Sequence, residues 1–234
     1  MSADDMRVVR KDRWLIASFD TPHQTLSWAI VGGGRSRAFE VSWLEVSNQE
    51  LSPVVDPGIF LRQKMTERAA EMGVGLLTSR NLDAYTDIEK SWDGLSARCV
   101  ATAGFSNALR VGDRPSFSGG AGTVNILCRV SEPLSEEAML ETMAVVVEAR
   151  TAAILAAGIT SVATGLPATG TGTDCVVIAC PEGKSPLVYA GKHTALGHVV
   201  GAAVYEAVEK GAARWKEEWL VNGEKKGTLC SGIR

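Results

Sequence analysis

"CVVIAC", residues 175–180, decides the fold. Both alternating sets of side chains are apolar, and three of the six residues are β-branched. That pattern predicts a central strand covered on both faces. Its flanks are polar and unusual. "GLPATGTGTD" (165–174) delivers a Gly/Thr run into one acid, Asp174. Downstream, "YAGKHTALGHVVG" (189–201) carries two of the chain's three histidines, His193 and His198.

A strand buried on both sides needs layers to cover it, and the neighbouring sequence supplies them. "TVNILCRV" (123–130) reads as a second strand, with Val124, Ile126, Cys128 and Val130 on one face and Thr123, Asn125, Leu127 and Arg129 on the other. A long helix follows. Ser135 is its expected N-cap, Met139, Met143, Val146, Val147, Arg150 and Ile154 keep helical spacing, and Gly158 stops it. A last helix is predicted from Thr194 to about Trp219, with a stripe of Val200, Val204, Val208, Ala212, Trp215 and Trp219; the tail "NGEKKGTLCSGIR" reads as loose. Towards the N-terminus, "RWLIASF" (13–19), "TLSWAIV" (25–31), "RAFEVSWLEV" (37–46), "VGLLT" (74–78) and "ARCVATA" (97–103) have strand composition. A short helix is capped by Asp56 and Pro57, with Gly73 as its expected end, and "GDRPSFSGGAG" (112–122) is a loop. The fold class is α/β of the α+β type. One domain over residues 1–234 is expected, with a hairpin-rich N-terminal part and mixed sheet packed against long helices.

Composition narrows the function. Of 234 residues, 45% are hydrophobic and 22% charged, ordinary for a globular protein. A net charge of −3 with scattered Lys and Arg predicts neither nucleic acid nor an anionic membrane as partner. The most apolar helix candidate, "MAVVVEARTAAILAAGI", carries Glu148 and Arg150, so no transmembrane span is expected. The charged N-terminus lacks the apolar core of a signal peptide. Five cysteines without CxxC spacing argue against a disulfide framework or zinc knuckle, and the expected location is cytoplasmic.

The polar groups around the central strand each have a chemical and an ordinary reading. The "TGTGTD" loop matches no nucleotide-binding signature, but its backbone N–H groups can approach a ligand closely or line an oxyanion hole. Asp174 reads either as an acid/base group or as a cap on nearby amides. A separation of five puts His193 and His198 about 140° apart on a helix, so they share a site only if His193 lies in the loop before it. Glu148 reads as a buried base or as an exposed face, and Arg150 on the apolar stripe must snorkel or pair. "GFSNALRVGD" (104–113) offers Ser106 as hydroxyl and Asn107 as oxyanion donor, without the GxSxG elbow. "AGTVN" (121–125) starts a strand with Thr123 after small residues. N-terminal-nucleophile amidases cleave themselves before such a residue; here an uncut chain is the expectation.

Four ordered blocks carry a resemblance. "ATAGFSNALRVGD", "GTVNILCRV" running on to "LSEEAMLETMAVVVEARTAAILAAGI", "ATGTGTDCVVIAC" and "YAGKHTALGHVVG" together resemble the adenosylcobinamide amidohydrolase family (CbiZ), over roughly residues 75 to 210. The resemblance implies hydrolysis of the amide between an aminopropanol arm and a corrin-ring propionate, releasing adenosylcobyric acid; some members also act on complete cobamides. The chemistry such a reaction needs suggests roles for residues in the matched blocks. Asp174 and His193 would form an acid/base pair, with Glu148 a second base. Asn107 and the 169–173 loop would hold the oxyanion. Thr171, Gly172, Thr173, Ser106, Asn125 and His198 would contact substrate, with Trp92, Phe105 and Tyr189 as an apolar wall. The corrinoid is then substrate and no cofactor is required. "GKHTALG" does not fit the DxHxxG pattern of a cobalt-ligating histidine. Two alternatives stay open: a corrinoid-binding protein without chemistry, and an amidase using a divalent metal on His193, His198 and Asp174. Self-association as a homo-oligomer is also open.

Overall fold

The structure, a computed structural model, describes residues 6–47, 49–51, 55–114, 122–184 and 186–230. In chain order it contains β1 (Met6–Lys11), β2 (Trp14–Ser27), β3 (Gly34–Glu45), α1 (Pro57–Thr66), β4 (Gly73–Thr78) and a 3₁₀ turn (Leu82–Ala84). Then come β5 (Thr86–Trp92), β6 (Leu95–Ala103), β7 (Ala108–Leu109), β8 (Val124–Val130), α2 (Glu136–Ala156), β9 (Gly170–Thr171), β10 (Cys175–Pro181) and α3 (Ala195–Cys230).

The main sheet runs β4-β3-β2-β10-β8-β6-β5, with β1 also paired to β2, and β7 and β9 form a separate two-stranded ribbon. Pairing is mixed: β10 lies parallel to β8 and antiparallel to β2, and β3 lies parallel to β4. β2 spans the two halves of the sheet. Its first part pairs with β1 and its last part with β10, across a register irregularity between Ser18 and His23.

Alternation along β8 and β10 sends their side chains into two cores. Val124, Ile126, Cys128, Val176, Ile178 and Cys180 join residues of α2 and α3 on one side. Leu127, Val177 and Ala179 face Leu15, Val41, Trp43 and Leu76 of the N-terminal strands on the other. The sheet therefore folds over itself, and α1 covers the outer side of the N-terminal half through Leu61 and Met65. Burying each Val, Leu or Ile of these strands contributes about 1.5–3 kcal/mol, which is why the β8–β10 pair sits at the centre.

β10 is buried on both faces, as its composition predicts. Asp56, Ser135 and Thr194 cap their helices, accepting from Ile59 N at 2.8 Å, Ala138 N at 3.2 Å and Gly197 N at 3.0 Å. Several boundaries differ from expectation. "RWLIASF" and the start of "TLSWAIV" form one strand, because exposed Asp20 and Thr21 absorb the irregularity without breaking it. α1 stops at Thr66, where the carbonyl of Met65 accepts from both Arg68 and Ala70. β5 is a strand that composition did not flag; it turns into β6 through Asp93 and Gly94, both at positive φ, the Asp-Gly signature of a tight hairpin. α3 continues to Cys230 because the expected loose tail contains no proline to end it. Trp219 leaves the buried stripe and stacks on Trp215 at the surface, 5.1 Å between ring centroids. No helix among the described residues is long and apolar enough to cross a membrane.

Candidate active site

A cavity of about 690 Å³ opens where β8 and β10 begin, between the two halves of the folded sheet. Trp28, Ile30 and Leu77 contribute apolar lining, while Thr123, Asn125 and Asn107 contribute polar lining. Trp28 and Ile30 are about half exposed. Trp28 is fixed by its indole N–H, which donates to the Asp174 carbonyl at 2.6 Å.

The polar groups are locked to one another. The Thr123 hydroxyl donates to the Thr173 carbonyl at 2.7 Å and lies 3.2 Å from Asn125 Oδ1. Asn125 Nδ2 donates to the Leu77 carbonyl at 2.7 Å, tying the start of β8 to the end of β4. The Thr173 hydroxyl donates to the Gly122 carbonyl at 3.2 Å. Pairing of β7 with β9 brings the 104–109 segment against the Gly/Thr loop. A Cβ on Gly122 would lie 2.6 Å from Asn107 Oδ1 and 2.8 Å from the Ser106 nitrogen, so only glycine allows this approach. Gly172 lies on the carboxamide's other side, and Asn107 Oδ1 is buried without a hydrogen-bond partner.

Asp174 precedes Val176, whose side chain packs on the helix side, and its carboxylate likewise turns toward α2. It accepts from Val124 N at 3.1 Å, Thr171 N at 3.0 Å and the Thr171 hydroxyl at 2.5 Å, and pairs with Arg150 Nη1 at 3.1 Å. Four donors fill the roughly four acceptor sites of a carboxylate, leaving none for a substrate proton. Gly170 has no side chain because a Cβ there would collide with this carboxylate. Asp174 is thus a clip joining β8, β9 and α2, and Arg150 takes the pairing option its place on the apolar stripe required. Beside it in the cavity wall, burial first and the Asp174 charge second push the Cys175 thiol up to about 12. It stays a thiol at neutral pH and is no nucleophile.

The structure brings Asn107, Asn125, Gly172, Thr173 and Asp174 together at the cavity, with Ser106 and Thr171 directly behind its lining. It does not bring in His193, His198 or Glu148. His193 is exposed in the turn before α3, and Glu148 is exposed and paired with Lys192 at 2.5 Å. His198 makes an edge contact with Trp92, at the opposite end of the β5–β6 hairpin from Ala103 and the cavity. The expected Asp174–His193 pair is not formed; Arg150 occupies the place beside the carboxylate. Among the described residues no three His, Cys, Asp or Glu side chains gather as a metal-binding group. The expected aromatic wall also differs. Phe105 is core against Trp215, while Trp92 and Tyr189 are exposed away from the cavity, whose aromatic lining is Trp28. Trp28 was hidden in a strand-like run, where an aromatic residue signals only sheet.

Sequence comparison gives first the class, an amidohydrolase, and then the family. The family model for adenosylcobinamide amidohydrolase matches residues 1–219, and the chain belongs to that family. The match takes in the strand-rich first 75 residues as well as the four blocks. An adenosylcobinamide amidohydrolase of Methanosarcina mazei is 28% identical over 211 residues, covering 86% of this chain and 94% of that protein. One from Halobacterium salinarum is 35% identical over 126 residues, covering 48% of this chain and 50% of that protein. Among solved structures, a Burkholderia sp. β-aminopeptidase overlaps with a TM-score of 0.41 at 12% identity, over 86% of this chain and 78% of its own.

Proposed function

We propose that this protein hydrolyses the amide between the aminopropanol arm and the corrin-ring propionate of adenosylcobinamide, giving adenosylcobyric acid, and that complete cobamides are accepted as well. Family membership supports the reaction class. The observation that carries the site is the cavity at the start of β8 and β10, with an apolar mouth at Trp28 and Ile30 and polar groups from Thr123, Asn125, Thr173 and Asn107. A large ring rests on the mouth while its amide arm reaches the polar groups. Amide hydrolysis needs donors placed where the oxyanion forms, and the Asn107 carboxamide beside the 169–173 loop fits that need. In this reading the corrinoid is substrate and the protein works in the cytoplasm on a small molecule.

The test is mass spectrometry of adenosylcobinamide incubated in the dark with purified protein, with and without EDTA. Absorbance is a poor probe, because the cleaved bond lies at the ring's periphery. Adenosylcobyric acid and aminopropanol in both samples are the expected result. Product lost with EDTA would favour a metal-dependent amidase, although His193, His198 and Asp174 do not form a set here. Corrinoid binding without product would leave a binding protein and end the hydrolase reading.

A further inference from the structure

Among the described residues, the cavity holds the buried Thr123 hydroxyl in a polar network but no base to activate it. Asp174 and Cys175 are its only ionisable lining groups among the described residues, the first saturated by four donors and the second protonated at neutral pH. The histidines lie elsewhere: His193 and His198 are exposed, and His23 is stacked on Phe19. A threonine hydroxyl is a weak nucleophile without a base. One known solution is the threonine's own α-amine, when that residue is N-terminal. Thr123 has its α-nitrogen tied up in the peptide bond to Gly122.

That bond is set up to break. Gly122 presents no side chain, its carbonyl already accepts a hydrogen bond from the Thr173 hydroxyl at 3.2 Å, and Asn107 is wedged against it. The Asn107 carboxamide has an unpartnered buried oxygen, so rotating the amide costs no bond at that atom and turns an N–H toward the peptide. Two donors can then face the oxygen that becomes negative when a nucleophile adds to the Gly122 carbonyl carbon.

We infer that the chain cleaves its own Gly122–Thr123 bond and that the freed Thr123 is the site's N-terminal nucleophile. Thr123 Oγ adds to the Gly122 carbonyl carbon, the C–N bond breaks, and the hydroxyl proton ends on the departing nitrogen, leaving an ester. Water hydrolyses the ester, giving a Gly122 carboxylate, the Thr123 hydroxyl and a free Thr123 amine. The two fragments together exceed the uncut chain by one water. An α-amine of ordinary pKa, about 7.7–8.0, is partly neutral near pH 7.5 and can take the hydroxyl proton in each later turnover. Self-cleavage stands on these residues alone; the part of Thr123 in corrinoid hydrolysis rests on the function proposed above. This replaces the sequence-based expectation of an uncut chain.

The test is denaturing mass spectrometry of the purified full chain, followed over days at pH 7.5, with N-terminal sequencing of every fragment. Expected are fragments 1–122 and 123–234, the second beginning Thr-Val-Asn. Thr123→Ser should still cleave, Thr123→Ala should stay whole, and Thr173→Val should slow cleavage by about 10²-fold. Far-UV circular dichroism and a melting curve check that the Ala variant is folded. A wild-type chain that stays whole overturns the proposal, whether or not it turns over corrinoid. Cleavage of Thr123→Ala at the same bond also overturns it, by revealing a contaminating protease. Fragments without corrinoid turnover would uphold self-cleavage and sink the substrate assignment instead.

Discussion

The start of β8 and the start of α3 teach opposite lessons about where chemistry sits. The α3 end holds the residue types usually associated with catalysis, two histidines with a lysine and a glutamate close by. Yet His193 and His198 are exposed, and the Lys192–Glu148 pair is 70% and 57% exposed. The β8 end holds threonines, asparagines and glycines, ordinary types in an unusual arrangement. There hydrogen bonds such as Thr123–Thr173, Asn125–Leu77 and Val124–Asp174 join segments about 50 residues apart, and the Arg150–Asp174 ion pair has side chains only 11% and 9% exposed. Burial and mutual locking, more than residue type, separate the two.

The largest expected effect that would break this comparison is on turnover. Thr123→Ala should lose at least about 10³-fold in adenosylcobinamide hydrolysis, measured by product mass spectrometry. Activity near wild type would move the nucleophile elsewhere. Asn107→Ala should lose about 10²-fold in kcat with KM little changed, as removal of one oxyanion donor does; an effect confined to KM would make Asn107 a binding residue.

The two ion pairs provide the stability side of the contrast. Asp174→Ala leaves the Arg150 guanidinium buried and unpaired, and should cost about 3–5 kcal/mol in urea unfolding. Lys192→Ala at the exposed pair should stay within about 0.5 kcal/mol. Equal losses at the two sites would mean that Arg150 escapes to solvent when its partner goes.

A smaller effect is expected in acid. Hydrogen bonds from Lys210 and then Lys90 hold the Glu206 carboxyl at about 2, against an ordinary 4.5. Because the folded value is depressed, the stabilisation is complete above pH 4.5 and fades as the pH falls toward about 2. Melting points of wild type and Glu206→Gln should therefore converge over that window. A gap that stays constant through it would show that the lysines do not hold this charge in solution.

Much of the fold was legible because local and global signals agree there. The apolar run at 175–180, the caps at Asp56, Ser135 and Thr194, and the stop at Gly158 all lie where the residues indicate. β5 was not flagged because "TDIEKSW" is polar on an edge strand; the Asp93-Gly94 turn was the available signal. The site was legible in part. Asn107, Asn125 and the 169–174 Gly/Thr loop stand where loops meet strands, and such junctions at one sheet end do converge. What sequence spacing does not encode is which end of the folded-over sheet a helix start reaches. α3 runs back along β6, so its first turn, with His198, meets Trp92 while its later part, at Gly211, meets Ala103. Nor does it show how many donors a carboxylate gathers, which sets Asp174 apart from a free base.

The most direct test of the account is hydrolysis of adenosylcobinamide by the double variant His193→Ala/His198→Ala. Product is followed by mass spectrometry in the dark, beside wild type at equal concentration of folded protein. Chemistry seated at the β8 end predicts turnover within roughly threefold of wild type. A folded double variant that has lost about 10²-fold or more would place a histidine in the reaction and contradict the account.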